Sequence, residues 1–571
     1  MSFLPGEKLH YAETHFKFKL PWSLLYRPWP EILVDAPFLF VPEVEPVLWI
    51  VVRDAHRFPT LLEKMVVEIK ATDNADKSSQ NDATSEKAFD LQICASEQFG
   101  FYPVKLGRLA PGNYEIYCKI FAKRIDENGN ATGVTDKVFK RWNYPGLKSA
   151  PLKIQILAEE PPKAPGFVAG EMHCHTHYSA DHVEHGASPE VMQQAAKAVG
   201  LDFVSCTDHA YDFAYQTEDY TKEAETPLTR FDALRAEIRE LNKAHDNGSE
   251  SSPLMVAGEE VSAGNSKGEN VHMTALGTEN YLPGLGDCGR NWLDNKPTLK
   301  IPKLMEMTDA HCFAAHPMQP MGYLEKFIFR RGYWSHNDLN LDAKHKIRGI
   351  QFWNGIRDEG FKLGREWWIE ELGKGNFLLP IGGNDAHGDL NDTTSVNLPL
   401  FSLRHSREHV FGKVRTVVKL DERRERTALG TESLSARGHQ GGTKDERSVI
   451  LSEAEGSTTV LTLTALNKAF AGDNCYITDG PALWWERGEK QIVFHARNTA
   501  DFGGAFRYIR IYGRRRTPNG KLAVTETLCI ESLVMAPAKT DIAVHVDDFA
   551  YLRAECETAT GKFALTSAAI L

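Results

Sequence analysis

No run of about 18 apolar residues occurs in this chain, so no segment reads as a membrane-spanning helix. The start, MSFLPGEKLHYAETHFKFKL, lacks a basic stretch leading into an apolar one, and no signal peptide is expected. Cysteine is sparse and scattered: nine residues, an odd number, with no C-x-x-C pair. Free thiols in a reducing, cytoplasmic setting follow as the simplest expectation. Positive charge is also short. Lys and Arg number 66 against 77 Asp and Glu, a net charge of −11, which argues against a nucleic-acid partner. Gly382-Gly383 is too short for a phosphate-cradling loop and reads instead as a close approach of backbone to a site. What remains is ordinary for a globular protein, with 42% hydrophobic and 25% charged residues. At 571 residues the chain exceeds one hydrophobic core.

Residues 1–164 read as an N-terminal β-sandwich. NYEIYCKIFAKR follows the turn former Pro111-Gly112 and alternates, with Tyr114, Ile116, Cys118 and Ile120 on one face. KMVVEIKAT, Lys64 to Thr72, alternates likewise, and the polar DNADKSSQNDATSEK between the two reads as a loop. The aromatic string PWSLLYRPWP, Pro21 to Pro30, reads as packing against a neighbouring domain. AEEPPKAPGF, Ala158 to Phe167, reads as a Pro-rich linker.

Residues 165–485 change to apolar strands alternating with helices, which implies a parallel sheet or barrel. Ser188-Pro189-Glu190 opens a helix and Gly200 closes it. GLDFVSCTDHA, PLMVAGEEVS, HCFAAHP, RGIQFWNG and FLLPIGGNDAHG read as strands ending in polar residues. Asp421 to Ser448 is polar and reads as a flexible insertion. Residues 486–571 alternate again and read as a small C-terminal β-domain, with Arg514 to Arg516 near a solvated hairpin tip.

The chemistry sits where those strands end. GEMHCHTHYSAD places His173 and His175 two residues apart, which on a strand means the same face. With 21 His in the chain, about one such pair is expected by chance, so the pair alone decides little. Strand after strand, however, closes on ligand-type residues: Asp208 and His209, Glu260, His272, His316, then Asp385 and His387. Asp181 lies on the loop leaving the first strand, near His182 and His185. Imidazoles mixed with carboxylates suit zinc, manganese or iron and disfavour calcium. Alternation turns Glu259 and Glu260 to opposite faces.

HCHTHYSAD, GLDFVSCTDHA, Gly258-Glu259-Glu260, NVHMTALG, AAHP and GGNDAHG, in this order, resemble the motifs of the polymerase and histidinol phosphatase (PHP) family over about Gly170 to Leu400. CYITDGPAL, Cys475 to Leu483, and YLRAECETATGKFALTS, Tyr551 to Ser567, resemble the C-terminal signatures of its carbaryl-hydrolase branch. The resemblance implies a distorted (β/α)7 barrel and a trinuclear centre of two to three divalent ions. It implies that His173, His175, Glu260 and Asp385 hold the first ion. Glu260 then bridges to a second with His272 and His316, and Asp181, His209 and His387 hold the third, with His182 or His185 as substitutes for Asp181. Glu260, His209 and Asp208 are the catalytic candidates.

The expected reaction is hydrolysis of a small-molecule ester by a metal-bound hydroxide, first a phosphoester, alternatively a carboxyl ester or carbamate. A binding module with a relic site, or a nuclease, are the rival classes. Asp208 either orients a ligand and moves protons or makes a strand-end hydrogen bond. His177 reads as solvated in preference to a proton donor, and Arg330 and Arg331 as surface residues in preference to readers of an anionic group. Asn354 either contacts substrate or forms a turn. Tyr211, Phe213, Tyr215, Trp292 and Trp334 are candidates for an apolar pocket wall or for core. Oligomeric state is not readable.

Overall fold

Seven strands in the middle of the chain carry most of the residues singled out above. They are β1 (Phe167–Cys174), β2 (Phe203–Cys206), β3 (Leu254–Gly264), β4 (Asn270–Leu276), β5 (His311–Ala315), β6 (Ile347–Asn354) and β7 (Leu379–Gly383). The structure is a computed structural model. It describes residues 29–72, 84–143, 148–179, 186–214, 228–243, 252–287, 295–339, 347–397, 402–420, 448–452, 458–516, 525–532, 536–546 and 549–571. The fold is mixed α/β and rich in strand. Among the described residues no helix is long and apolar enough to cross a membrane.

The seven strands lie side by side in sequence order. β1, β2 and β3 run parallel, as do β5, β6 and β7, and β4 is antiparallel to both its neighbours. The sequence pattern of strand–helix alternation passes over β4, because a hairpin turn rather than a helix joins it to β3. Every residue of β1 is buried, as expected for a strand covered on both faces. Beyond β7 the chain returns to β1: Asp385 N donates to His173 O at 2.7 Å and His175 N to Ala386 O at 2.8 Å. Helix α1 (Pro189–Val199) forms as its sequence dictates. Ser188 Oγ accepts from Val191 N at 3.2 Å, Pro189 opens the first turn, and Gly200 takes a left-handed φ of 76° at the end.

On its other side β1 pairs with Arg415–Lys419. From there the same sheet continues through Cys475–Thr478, Phe563–Thr566, Phe549–Thr558, Phe506–Arg515 and Thr527–Ser532. Hydrogen bonding therefore runs unbroken from the central strands into those expected to form a small C-terminal domain. Arg514 is buried rather than solvated, and residues 517–524 lie outside the described residues. So do residues 421–447 of the expected insertion, whose last residue, Ser448, begins a strand.

The N-terminal part holds two sheets on one apolar core. Glu31–Asp35, Val47–Arg53 and Phe99–Lys105 form one, and a six-stranded sheet around Gly112–Arg124 forms the other. Ile32, Ile50 and Val52 meet Met65, Val67, Ile116 and Ile120 between them. Three expectations change here. Thr84–Lys87, read as loop, begins the strand Thr84–Ala95 on the edge of Thr60–Ala71; residues 73–83 lie outside the described ones. Of the aromatic string only Trp29 and Pro30 are described, and Trp29 packs edge-on to Phe139 inside this core, not against a neighbouring domain. The linker is anchored: Ala158 N and Glu159 N donate to Asp501 Oδ2 at 2.9 and 3.2 Å.

Candidate metal centre

His173 sits in β1 and His175 just after it, and both imidazoles are buried on one side. Cys174 between them points the other way, its Sγ donating to Ser205 O. Gly383, at the end of β7, lets the two strands approach. A Cβ there would lie 2.8 Å from His173 Cβ, closer than real side chains come. The ring of His173 is held by Gln351, whose Oε1 is 2.8 Å from Nδ1. That bond leaves Nε2 as the lone-pair nitrogen, aimed at the centre.

His175 is fixed through a relay. Its Nδ1 lies 3.1 Å from Ser179 Oγ, which donates to Asp208 Oδ1 at 2.8 Å and accepts from His209 N at 3.2 Å. Asp208 also accepts from Thr176 N and Thr176 Oγ1. Its carboxylate thus stands behind the first loop and does not join the cluster. Of the roles left open for Asp208, the geometry fits orientation. Burial raises its pKa, against the hydrogen bonds from Ser179 and Thr176.

Glu260 is the pivot. Its Oε2 lies 3.4 Å from His173 Nε2, 3.3 Å from His175 Nε2 and 2.9 Å from His209 Nδ1. Its Oε1 lies 2.6 Å from His272 Nδ1 and 3.0 Å from His316 Nε2. Glu259 faces away, as alternation requires, to Arg235, Thr278 and Leu282 N. Asp385 Oδ1 faces His173 and His175 at 3.3 and 3.1 Å. Its Oδ2 accepts from Asn354 Nδ2 at 3.1 Å, and Gln351 Nε2 donates to Asn354 Oδ1. Asn354 is therefore part of the frame around Asp385. The ring of His387 stacks on His175 at 4.2 Å.

Three overlapping groups result, each with donor atoms within 4.8 Å of one another: His173, His175, Glu260 and Asp385; Glu260, His272 and His316; His175, His209 and His387. The first two coincide with the sets implied by the resemblance. In the third, among the described residues, His175 stands beside His209 and His387, and Asp181, His182 and His185 lie outside the described residues. Two candidate ligands, His316 and Asp385, take left-handed φ values of 27° and 51°. That conformation costs a residue with a Cβ about 1–3 kcal/mol and is characteristic of functional sites.

The atoms facing one another suit a cation better than hydrogen bonds. His209 Nδ1, His272 Nδ1 and Glu260 Oε2 are buried without a hydrogen-bond partner among the described residues, although they lie within 2.6–2.9 Å of oppositely charged or polar atoms. His173 Nε2 and His175 Nε2 face each other at 3.1 Å. Lone pairs converge on shared points, which is the arrangement a metal ion requires. Burial opposes charging of His173 and His272, but the neighbouring carboxylates prevail and raise them to about 9 and about 10. Burial and the nearby His387 and His209 hold His175 well below its usual value.

Asp287 escaped the sequence reading. It lies in a loop with no periodic pattern or motif to mark it. Its Oδ2 accepts from His272 Nε2 at 2.8 Å and from Arg331 Nε at 2.7 Å, and Ser262 Oγ bonds the other oxygen. Arg331 is thus drawn into the site, contrary to its reading as a surface residue. His177 is not solvated either: its ring packs against Phe99 and Phe101, and burial, with Arg230 nearby, lowers it to about 4. Tyr211 stacks on His209 at 4.5 Å; Phe213 is core, Trp334 is buried and also lines the cavity beside the cluster, and Tyr215 and Trp292 lie outside the described residues. The chain's one G-x-S-x-G pattern, Gly264 to Gly268, forms the β3–β4 hairpin turn. Ser266 there is exposed beside Ser335, far from the strand-to-helix elbow a nucleophile needs. A cavity of about 160 Å³ opens beside the cluster, lined by His272, His316, Arg331, Trp334, Asn354 and Asp385 among others. Comparison of the chain with protein-family models and with curated proteins gives no match.

Proposed function

We propose that the chain is a metal-dependent hydrolase of the PHP type acting on a small-molecule ester, with a phosphoester as the first substrate class. In this reading β1 to β7 are the distorted seven-stranded barrel, residues 1–164 a β-sandwich and residues 486–571 a small β-domain. The observation that carries it is the forked placement of Glu260, with one carboxylate oxygen towards His173, His175 and His209 and the other towards His272 and His316. A carboxylate shared in this way suits two cations held close together.

Zinc, manganese or iron, two to three per chain, supply when bound an acidified water and a sink for developing negative charge. The chain's own residues do the rest. Gln351, Ser179 and Asp287 fix the tautomers of His173, His175 and His272, so that each presents a lone pair inward. Arg331 lies at the cavity wall, where its guanidinium can hold an anionic group of the substrate. Asn354 donates to Asp385 Oδ2 and steadies that carboxylate. The alternative, a carboxyl ester or carbamate, is favoured by the apolar side of the same cavity, formed by Pro317, Pro320, Met321 and Trp334.

The test is a panel of aryl phosphates, carboxylates and carbamates on protein supplied with manganese, zinc or iron, beside Glu260→Gln. Metal-dependent phosphoester turnover, competitive inhibition by inorganic phosphate and loss of activity in the variant are expected. Carbamate turnover untouched by phosphate would move the reading to the alternative. Undiminished turnover in Glu260→Gln would sink both.

A further inference from the structure

A second cavity lies elsewhere among the described residues. It measures about 640 Å³, within the range of small-molecule sites, and shares no lining residue with the cavity at the candidate metal centre. It opens between the six-stranded N-terminal sheet, the segment 407–415 and the C-terminal strands. We propose that this cleft is a second binding site, for a small molecule carrying a phosphate group and a flat apolar ring.

Charge comes first. Lys153, Arg407, Lys413, Arg415 and Lys562 line the cleft, against Glu115 and Asp479, an excess of three positive charges in a chain of net charge −11. A third acid, Asp392, lies 3.8 Å from Arg407 but is held closer by Arg141, at 2.7 Å, so the acids do not neutralise the five cations. Lys153 is 3.9 Å from Glu115, and Lys562 is 3.9 Å from Asp479. Asp479 is itself committed, accepting from Phe563 N at 2.7 Å. Lys413 Nζ donates to Arg407 O at 3.0 Å and has no carboxylate within 4 Å among the described residues. Arg415, only 7% exposed, bonds two carbonyls, Gly412 O at 3.3 Å and Val199 O at 2.7 Å. These carbonyls bond its Nε and Nη2 in place of a carboxylate, and burial pushes it down to about 10 against Tyr476, Asp202, Asp479 and Glu171. The crowding is felt: partial burial, then repulsion from Lys562, pushes Lys413 down to about 8 in spite of Asp479. An anion placed among these groups relieves both costs, and Arg and Lys together suit phosphate oxygens.

Phe38 and Tyr114, both part-buried, line the same cleft and offer aromatic surface beside the cations, backed by the buried Phe502.

Calorimetric titration of the full chain with AMP and with inorganic phosphate tests this, using wild type, Glu260→Gln and the double variant Lys413→Gln/Lys562→Gln. In Glu260→Gln, which neither turns over AMP nor holds phosphate at the metal centre, one site is expected; wild type is expected to show the same site with equal affinity beside the metal centre's, and the double variant to weaken it at least about 10-fold, in keeping with the loss of charge-assisted bonds. AMP is expected to bind more tightly than phosphate. Should the double variant fail to fold, Lys153→Gln, whose side chain is 60% exposed, serves in its place. No binding in wild type, binding lost in Glu260→Gln instead, or binding indifferent to the lysines would overturn the site. AMP no tighter than phosphate would overturn the ring. Because Glu260→Gln reports on the metal centre alone, failure of this site and failure of the proposed hydrolase are distinguishable.

Discussion

The acid that holds His272 is the residue on which the second ligand group turns. His272 can offer Nδ1 to Glu260's side of the centre only while Nε2 carries its proton, and Asp287 is the group that receives it. Asp287→Asn keeps the shape and removes the charge. Asparagine can also rotate its amide towards Arg331 or His272 and present a donor where an acceptor is needed. Metal affinity at the group of Glu260, His272 and His316 is expected to fall about 10–100-fold, as found when outer partners of metal-binding His are removed. Chelator competition, read ion by ion, measures it, and unchanged affinity would show that Asp287 serves only Arg331. At this scale much of the centre was legible. His173 and His175 share a face by strand periodicity, and Glu260 was separated from Glu259 by the same rule. Asp287 was not legible, because it reaches His272 from a loop whose path no local pattern specifies. Nor was the role of Ser179, which links Asp208 to His175 only once the first loop has turned.

Between elements, the N-terminal sheets are fastened to the strand region by a short stretch following β7. Leu390 N donates to Asp35 Oδ2 at 2.8 Å, Phe38 N to Leu390 O at 3.1 Å, and Asn391 exchanges bonds with the backbone of Lys153. Arg141 is the centre of this seam. Its side chain is 2% exposed, lies 2.7 Å from Asp392 and 3.8 Å from Asp35, and also donates to Val34 O. Arg141→Ala leaves Asp35 facing a void without its cation and leaves Asp392 only Arg407, at 3.8 Å. Breaking a buried pair in this way is expected to cost about 3–5 kcal/mol. Urea unfolding followed by far-UV circular dichroism of the whole chain measures it; a loss under about 1 kcal/mol would mean that the seam is wet and the pair screened. None of this was readable beforehand, since ion pairs 251 residues apart leave no trace in local sequence. β4 was hidden for a different reason. It is a strand by its buried apolar residues, but the β–α rhythm on either side led the eye past it.

Across the whole molecule, the candidate ligands come from β1, β3, β4 and the segments after β1, β2, β5 and β7, spanning His173 to His387. The ligands could be picked out one by one along the sequence, but only the in-order arrangement of the seven strands, with the segment after β7 bonded back to β1, brings them together. Metal ions bound at this point would clamp the two ends of the strand row. Unfolding must separate the ligands, so the metal's binding energy adds to stability. For ions present at about 1,000 times their dissociation constant the gain is about 4 kcal/mol per site. In a unit of this size that corresponds to a shift on the order of 10 °C in the midpoint of thermal unfolding. Stripping metal with a chelator and restoring it with manganese or zinc should move the midpoint down and back by that amount. Glu260→Gln should start low and respond weakly, because the variant lacks the charge shared between two groups. Asp35, Arg141 and Asp392 lie outside the centre, so Arg141→Ala should keep the full metal response from a lower baseline. A midpoint insensitive to chelation in the native chain, with metal confirmed absent by elemental measurement, would show that the cluster is held by its own hydrogen bonds and needs no ion.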